Sequence, residues 1–264
     1  MKQIITYILL AIFPCLVAAQ DSINIATPAE IGAQTVNVSL GDSAYAKGDY
    51  STAIAIYENV LNSGNESADL YYNLGNAYYK SEEIAKAILN YERALLLSPS
   101  DKNIIFNLEL AKSKTVDKVS QGFKIFFVEW IKSLINLMGM NAWCIIGIVA
   151  FVVMLVSILL FLFNSRISIR KIGFATAIVT LFVTIFANIA AYTHYERLTN
   201  RNTAIVIEPS ITAKSTPDES GTSLFVIHEG HKVKIIDDSM HNWKEIELED
   251  GTVGWLPVTA IERI

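Results

Sequence analysis

Apolar positions along this chain follow three successive rhythms. Between residues 34 and 101 they recur at helical spacing, and the pattern occurs twice. Leu40-Gly41 and Leu74-Gly75 lie 34 residues apart, as do Ala53 and Ala87, and Tyr57 and Tyr91. A fixed period of that length marks stacked helical hairpins, each burying its apolar face on the next. From Ala142 to Phe163, and again from Ile172 to Thr193, the rhythm gives way to uncharged runs of 22 residues. Each exceeds the ~20 residues a helix needs to cross the hydrocarbon of a bilayer. Beyond Asn202 the period falls to two. Short β-rich runs at 204–207, 210–214, 224–228, 232–236, 243–248 and 253–257 are separated by turns, Asp250-Gly251 among them. Five or six short strands of this kind predict a small barrel over residues 202–264.

Local signals set the boundaries. The hairpins occupy 34–67 and 68–101, and Pro99 stops the second copy. One period after Leu74 stands Leu108, but Glu109 replaces the glycine. Residues 103–116 therefore read as a helix capping the array, which ends by residue 118. In 122–140, Phe123, Phe127, Trp130, Leu134, Leu137 and Met138 recur at helical spacing, with Lys124, Glu129, Lys132 and Asn136 largely elsewhere. This predicts an amphipathic helix in the membrane interface, or alternatively a core helix under the repeats. At the start, Lys2, an apolar stretch and Ala18-Ala19 read as a secretory signal, 1–19, cleaved before Gln20. Retention of that run as an anchor is the alternative. Residues 20–33 are aperiodic and read as a linker.

Composition agrees with membrane residence: 52% of residues are hydrophobic, 18% are charged, and the mean hydropathy is +0.37. The net charge of −5 is unevenly spread, with −5 over residues 20–121, +5 over 122–201 and −6 over 202–264. Two acidic modules would repel a phosphate backbone, which argues against nucleic acid as a partner. The loop at 164–171 carries Arg166, Arg170 and Lys171 and no acid, so it should face the cytoplasm. The signal sequence independently sends the repeats outside. Both cues put the two acidic modules on the extracytoplasmic side of a bacterial inner membrane. Trp143, Tyr192 and Tyr195 fall at the outer ends of the spans, where interfacial aromatics belong.

Candidate chemistry is sparse. His228-Glu229-Gly230-His231 has the wrong spacing for a helical zinc motif and reads as a solvated turn between strands. Glu82-Glu83 and Asp237-Asp238 read as solvated turns. With only Cys15 and Cys144, removal of the signal leaves no intramolecular disulfide. No phosphate-cradling loop or nucleophile elbow is present. The expectation is a binding protein, not an enzyme, without metal or cofactor; a metal-dependent enzyme at His228 and His231 is the remote alternative.

Leu74, Gly75, Tyr78, Ala87, Tyr91, Ala94 and Pro99, with Tyr71 at a place often held by Trp, resemble the tetratricopeptide repeat. The first copy offers Leu40, Gly41, Tyr45 (one place late), Ala53 and Tyr57, with Val60 for Ala94. The resemblance implies a groove lined by the first helix of each hairpin. There Tyr72, Asn73, Asn76, Tyr79 and Lys80 share one helical face, followed by Asn107 in the cap, and Asp42 stands at the place of Asn76. Val206, Ala213, Ser220-Gly221, Phe225, Glu229-Gly230, Val233, Trp243, Asp250-Gly251-Thr252 and Gly254-Trp255-Leu256-Pro257 resemble bacterial SH3-like domains, which implies an aromatic groove at Trp243 and Trp255. The order of signal, repeats, paired spans and SH3-like module is similar to the BatE-type proteins of bacterial Bat (aerotolerance) clusters. That resemblance implies a scaffold in an envelope stress complex. Its partners would be other envelope proteins, such as Bat membrane proteins with von Willebrand A domains; peptidoglycan is the alternative ligand. The predicted fold class is thus multidomain: all-α tetratricopeptide hairpins, two transmembrane helices and a small all-β SH3-like barrel.

Overall fold

A computed structural model describes residues 28–117 and 126–264 of the 264-residue chain. The signal-like run 1–19 and the beginning of the amphipathic segment at 122 lie outside the described residues. The described chain divides into two compact units, one formed by residues 133–199 and the other by the chain up to Lys132 together with Asn200–Ile264.

The larger unit opens with five helices: α1 (Pro28–Ala46), α2 (Tyr50–Asn62), α3 (Ala68–Lys80), α4 (Ile84–Leu97) and α5 (Lys102–Lys112). Residues 28–33, read as linker, belong to α1, with Pro28 at a first-turn position that needs no amide proton. Caps punctuate the array. Asp49 accepts from the Thr52 amide at 3.1 Å, Ser67 from the Leu70 amide at 3.1 Å, and Asp101 from the Asn103 amide at 2.8 Å, relieving orphan donors at three helix starts. The turn inside each hairpin needs one left-handed residue, Gly48 in the first (φ 80°) and Glu82 in the second (φ 65°). Helix pairs close because Gly41 and Gly75 lie against aromatic rings. A Cβ at Gly75 would stand 2.7 Å from Tyr91, and one at Gly41 would collide with Tyr57. The core between the helices holds Ala53, Tyr57, Leu74, Ala77, Ala87, Ile88, Leu89, Tyr91 and Leu108.

The same unit contains seven antiparallel strands: β1 (Thr203–Val206), β2 (Ser210–Lys214), β3 (Ser223–His228), β4 (Lys232–Asp237), β5 (Trp243–Glu247), β6 (Val253–Pro257) and β7 (Ile261–Arg263). Their order is β3-β2-β6-β5-β4-β1-β7. The sheet is open, with β3 and β7 at its edges, in place of the expected barrel of five or six strands. β7 follows a single 3₁₀ turn and is three residues long, too short for a period-two signal. It pairs with β1, and the β1–β7 side rests on the helices: Ile205 and Ile264 belong to the helical core. Ala204, Val206, Ala213, Ile227, Val233, Ile246 and Leu256 form the sheet's own core. Gly230 (φ 80°) and Gly251 (φ 87°) occupy the left-handed places of two turns.

Residues 133–199 hold α7 (Met140–Phe163) and α8 (Ile167–Thr199), packed as an antiparallel pair and preceded by the end of α6 (Phe126–Ile135). At 24 and 33 residues the helices are about 36 and 50 Å long, against a hydrocarbon layer of about 30 Å. Both are long and apolar enough to cross a membrane. α8 begins before the predicted Ile172, so residues 167–171 of the basic loop are helical. Small residues form the seam. Gly147 faces Ala187, and a Cβ on Gly173 would meet the Ser157 carbonyl oxygen at 2.9 Å. Ile145, Ile148, Leu159, Phe163, Phe182 and Ile189 point outward and are exposed. The Trp143 indole N–H donates to the Ile135 carbonyl at 2.8 Å, and His194 Nε2 lies 3.1 Å from the same oxygen. A carbonyl only accepts, so Nε2 carries the proton. Trp143 and His194 are thus buried ties to the end of α6. Phe127, Trp130, Leu137 and Met138 around α6 are exposed.

Candidate protein-binding groove

The polar face of α3 is knitted to its neighbours by a bond pattern that recurs with the period of the sequence. Tyr57 donates its hydroxyl proton to Asp42 at 2.6 Å, and Tyr91 donates to Asn76 at 2.8 Å. Asn73 donates from its amide to Asp42 at 3.1 Å, and Asn107 donates to Asn76 at 2.8 Å. Each acceptor thus receives a tyrosine from its own hairpin and an asparagine from the next. Asn107 also donates to the Tyr72 hydroxyl at 3.0 Å, and the Tyr72 ring lies 6.0 Å from that of Tyr91. Burial raises the Tyr57 phenol, with Asp42 adding to the shift, and burial raises the Tyr91 phenol, so both remain donors throughout the ordinary pH range.

Four of the predicted groove residues, Tyr72, Asn73, Asn76 and Asn107, are therefore side by side, but the amides of Asn73 and Asn107 and the amide oxygen of Asn76 bond to the array itself. What the groove offers is aromatic: Tyr72 and Tyr79 are half-buried, as is Tyr45 in the first hairpin. Lys114 extends its ammonium over the Tyr79 ring, 4.2 Å from the centroid, and Lys80 is exposed in the last turn of α3. Tyr45 and Lys114 escape sequence reasoning as groove residues. Tyr45 is visible only as an aromatic one place out of register, and Lys114, read as part of the cap helix, follows the end of α5 at Lys112. Trp243 and Trp255 are half-buried. Trp243 pairs with Pro257 and Glu245 with Trp255, so the two indoles share one sheet face on adjacent strands as diagonal neighbours.

A second polar region joins the helices to the sheet. Glu92 on α4 is 5% exposed and is held by Lys112 at 2.9 Å and Lys232 at 2.7 Å. Burial acts to raise its carboxyl, but Lys232 and then Lys112 override burial and hold it below the usual range. Arg93 pairs with Glu262 at 3.0 Å and donates to the Arg263 carbonyl at 2.6 Å. Arg201 pairs with Glu66 at 3.2 Å. Arg93, Glu262, Arg201 and Glu66 line a cavity of about 480 Å³ with Tyr71, Tyr78 and Asn90. The His228–His231 turn, expected to be solvated, is packed here instead. Asp117 accepts from the His228 amide at 2.8 Å and sits 2.8 Å from its Nδ1, while a Cβ on Gly230 would lie 2.7 Å from Thr115 and 2.9 Å from Ile88. Burial works against ionisation of Asp117, but the His228 amide and imidazole outweigh it and lower the carboxyl. Among the described residues no set of three side chains is placed to hold a metal ion.

Against this geometry, two family models match. One, the tetratricopeptide repeat, covers residues 68–101, and another, a TPR repeat, covers residues 41–82. The stretch 41–101 therefore carries tetratricopeptide repeats, modules that are typically non-catalytic and mediate interactions between proteins. No curated protein matches the chain.

Proposed function

We propose that this protein is a membrane-anchored scaffold that captures envelope proteins in its tetratricopeptide groove. The observation that carries the reading is the aromatic wall of Tyr45, Tyr72 and Tyr79, left half-buried by a frame whose amides are already bonded. Such a surface suits an apolar or aromatic side chain of an extended or helical segment. Lys80, Asn73, Asn76 and Asn107 then serve as rim and frame. The bilayer anchor is the α7–α8 pair, with α6 lying in the interface. Its loop around Arg166 is cytoplasmic and both soluble parts are extracytoplasmic. The resemblance to BatE-type proteins supports a place in an aerotolerance complex, with von Willebrand A-type Bat membrane proteins as partners.

The test is crosslinking in membranes followed by purification of the full chain. Tyr79→Ala with Lys80→Glu should lose the captured envelope protein, and retention of every partner rejects the groove. For topology, a cysteine at Arg166 should resist an impermeant thiol reagent while one at Glu219 reacts; labelling at Arg166 in intact cells rejects the arrangement.

The shared face of Trp243 and Trp255 favours a second contact, through the sheet region, which resembles bacterial SH3-like domains. Peptidoglycan is the alternative ligand there. Purified sacculi should retain the full chain in detergent and release Trp243→Ala if that contact is with the wall.

A further inference from the structure

The groove face of α3 is repeated on α5. One period carries Tyr72 to Phe106, Asn73 to Asn107, Asn76 to Leu110 and Lys80 to Lys114, residues that share one side of a helix by their spacing. Asn107 ties the two faces together through Tyr72 and Asn76. The third place of the ladder is different. Asp42 and Asn76 each accept from the asparagine of the next repeat, whereas Leu110 has no acceptor to offer. Phe106 is 67% and Leu110 41% exposed. An apolar floor therefore continues from half-buried Tyr72 and Tyr79 onto α5.

A basic edge borders this floor, in a module whose net charge is −5 over residues 20–121. Lys80 ends α3 and Lys114 follows α5. Both are exposed, and the Lys114 ammonium reaches back to within 4.2 Å of the Tyr79 ring centroid. Lysine at a helix C-terminus complements the helix dipole, but the neighbouring carboxylates do not neutralise this pair. Asp42 accepts from Tyr57 and Asn73, Glu83 pairs with Lys86 at 2.7 Å, and Asp117 holds His228. Asp69 shares the face of α3 but lies in its first turn. That is about 16 Å from Lys80 along the axis, beyond a Debye length of about 8 Å. Among the described residues Glu82 is the acid left at this edge, against two ammonium groups that pair with no carboxylate.

We propose that the segment captured in the groove is acidic: an amphipathic stretch of a partner protein with apolar side chains on Tyr72, Phe106 and Leu110 and carboxylate side chains on Lys80 and Lys114. The inference rests on the groove reading above and adds to it the partner's charge and a footing on α5. Apolar anchors in the floor supply affinity, and the lysines at the rim select the sign of the charge beside them.

The test uses the full chain purified in detergent and three fluorescent peptides of equal length, capped at both ends so that no terminal charge takes part. All carry leucine and phenylalanine at helical spacing, with glutamate, glutamine or lysine at the flanking places. The glutamate peptide should bind at least tenfold more tightly than the glutamine peptide at low salt, and the lysine peptide weakest. High salt should erase the difference. Lys80→Gln with Lys114→Gln should bring the glutamate peptide to the affinity of the glutamine one. Phe106→Ser should weaken both at least threefold, and Leu110→Ser decides that point if Phe106→Ser fails to fold by circular dichroism. Binding of none of the peptides, equal binding of glutamate and glutamine peptides, or a glutamate preference that survives the double lysine variant each overturns the proposal. Equal binding that is lost in Tyr79→Ala overturns the acidic partner and leaves the groove intact. Rejection of the groove itself is read separately, from partners retained in membranes by Tyr79→Ala with Lys80→Glu.

Discussion

At the residue scale, the fold rests on a few positions where one atom too many, or one charge too few, is decisive. Gly75 has no room for a side chain beside Tyr91. Gly75→Ala should lower stability by about 1–3 kcal/mol in chemical denaturation, and Tyr91→Leu in the same chain should recover part of the loss. Glu82 occupies a left-handed turn that glycine fills one period earlier, so Glu82→Gly should be neutral or stabilise by up to about 1 kcal/mol. Both were legible: the Gly–Tyr pairs keep the 34-residue period, and Gly48 aligns with Glu82. Glu92 was not, because its partner Lys232 is 140 residues away and no local pattern announces it. Glu92→Gln would remove the buried carboxylate that two partly exposed lysines hold, and should cost about 1–3 kcal/mol. The folded Glu92 carboxyl titrates below an unfolded one. Its contribution is complete above about pH 4.3 and is lost as pH falls through the lower folded value. The melting temperature should therefore drop below about pH 4.3, and less steeply in Glu92→Gln. An unchanged slope would show that the two lysines do not hold the carboxylate.

At the element scale, helix existence was readable and helix ends were not. The apolar stripes marked α2, α3 and α4, but α1 starts at Pro28 and α8 runs on to Thr199, because polar residues at helix ends carry no stripe. The last strand was missed for want of length. The groove was half legible. Spacing put Tyr72, Asn73 and Asn76 on one face of α3, yet which of them is available to a ligand depends on bonds to α1, α4 and α5 that no single helix displays. Asn107 fastens α5 to α3 by two of those bonds. Asn107→Ala should cost about 1–2 kcal/mol and speed amide exchange in α5 more than in α2. Equal exchange in the two helices would remove the asparagine ladder as the cap's fastening.

For the whole molecule, the sequence separated a helical module from a β module by the apolar runs between them. In the structure they belong to one compact unit, sharing Ile205 and Ile264 with the helical core. Long-range association of this kind leaves no trace in periodicity, since Arg93 and Glu262 stand 169 residues apart. Helical and sheet signals should melt together in a single transition. Gly230→Ala, which intrudes on Thr115 and Ile88, should split that transition in two.

The periodic asparagine bond has a consequence for how such a chain can grow. A tandem copy of residues 68–101 spliced in after Asp101 would bring its own acceptor at the place of Asn76, its own donor at the place of Asn73 and its own Gly–Tyr contact. Every junction would then repeat one already present, and both ends of the array would be unchanged. The repeat therefore behaves as a word with compatible endings, and lengthening the sentence requires no new vocabulary.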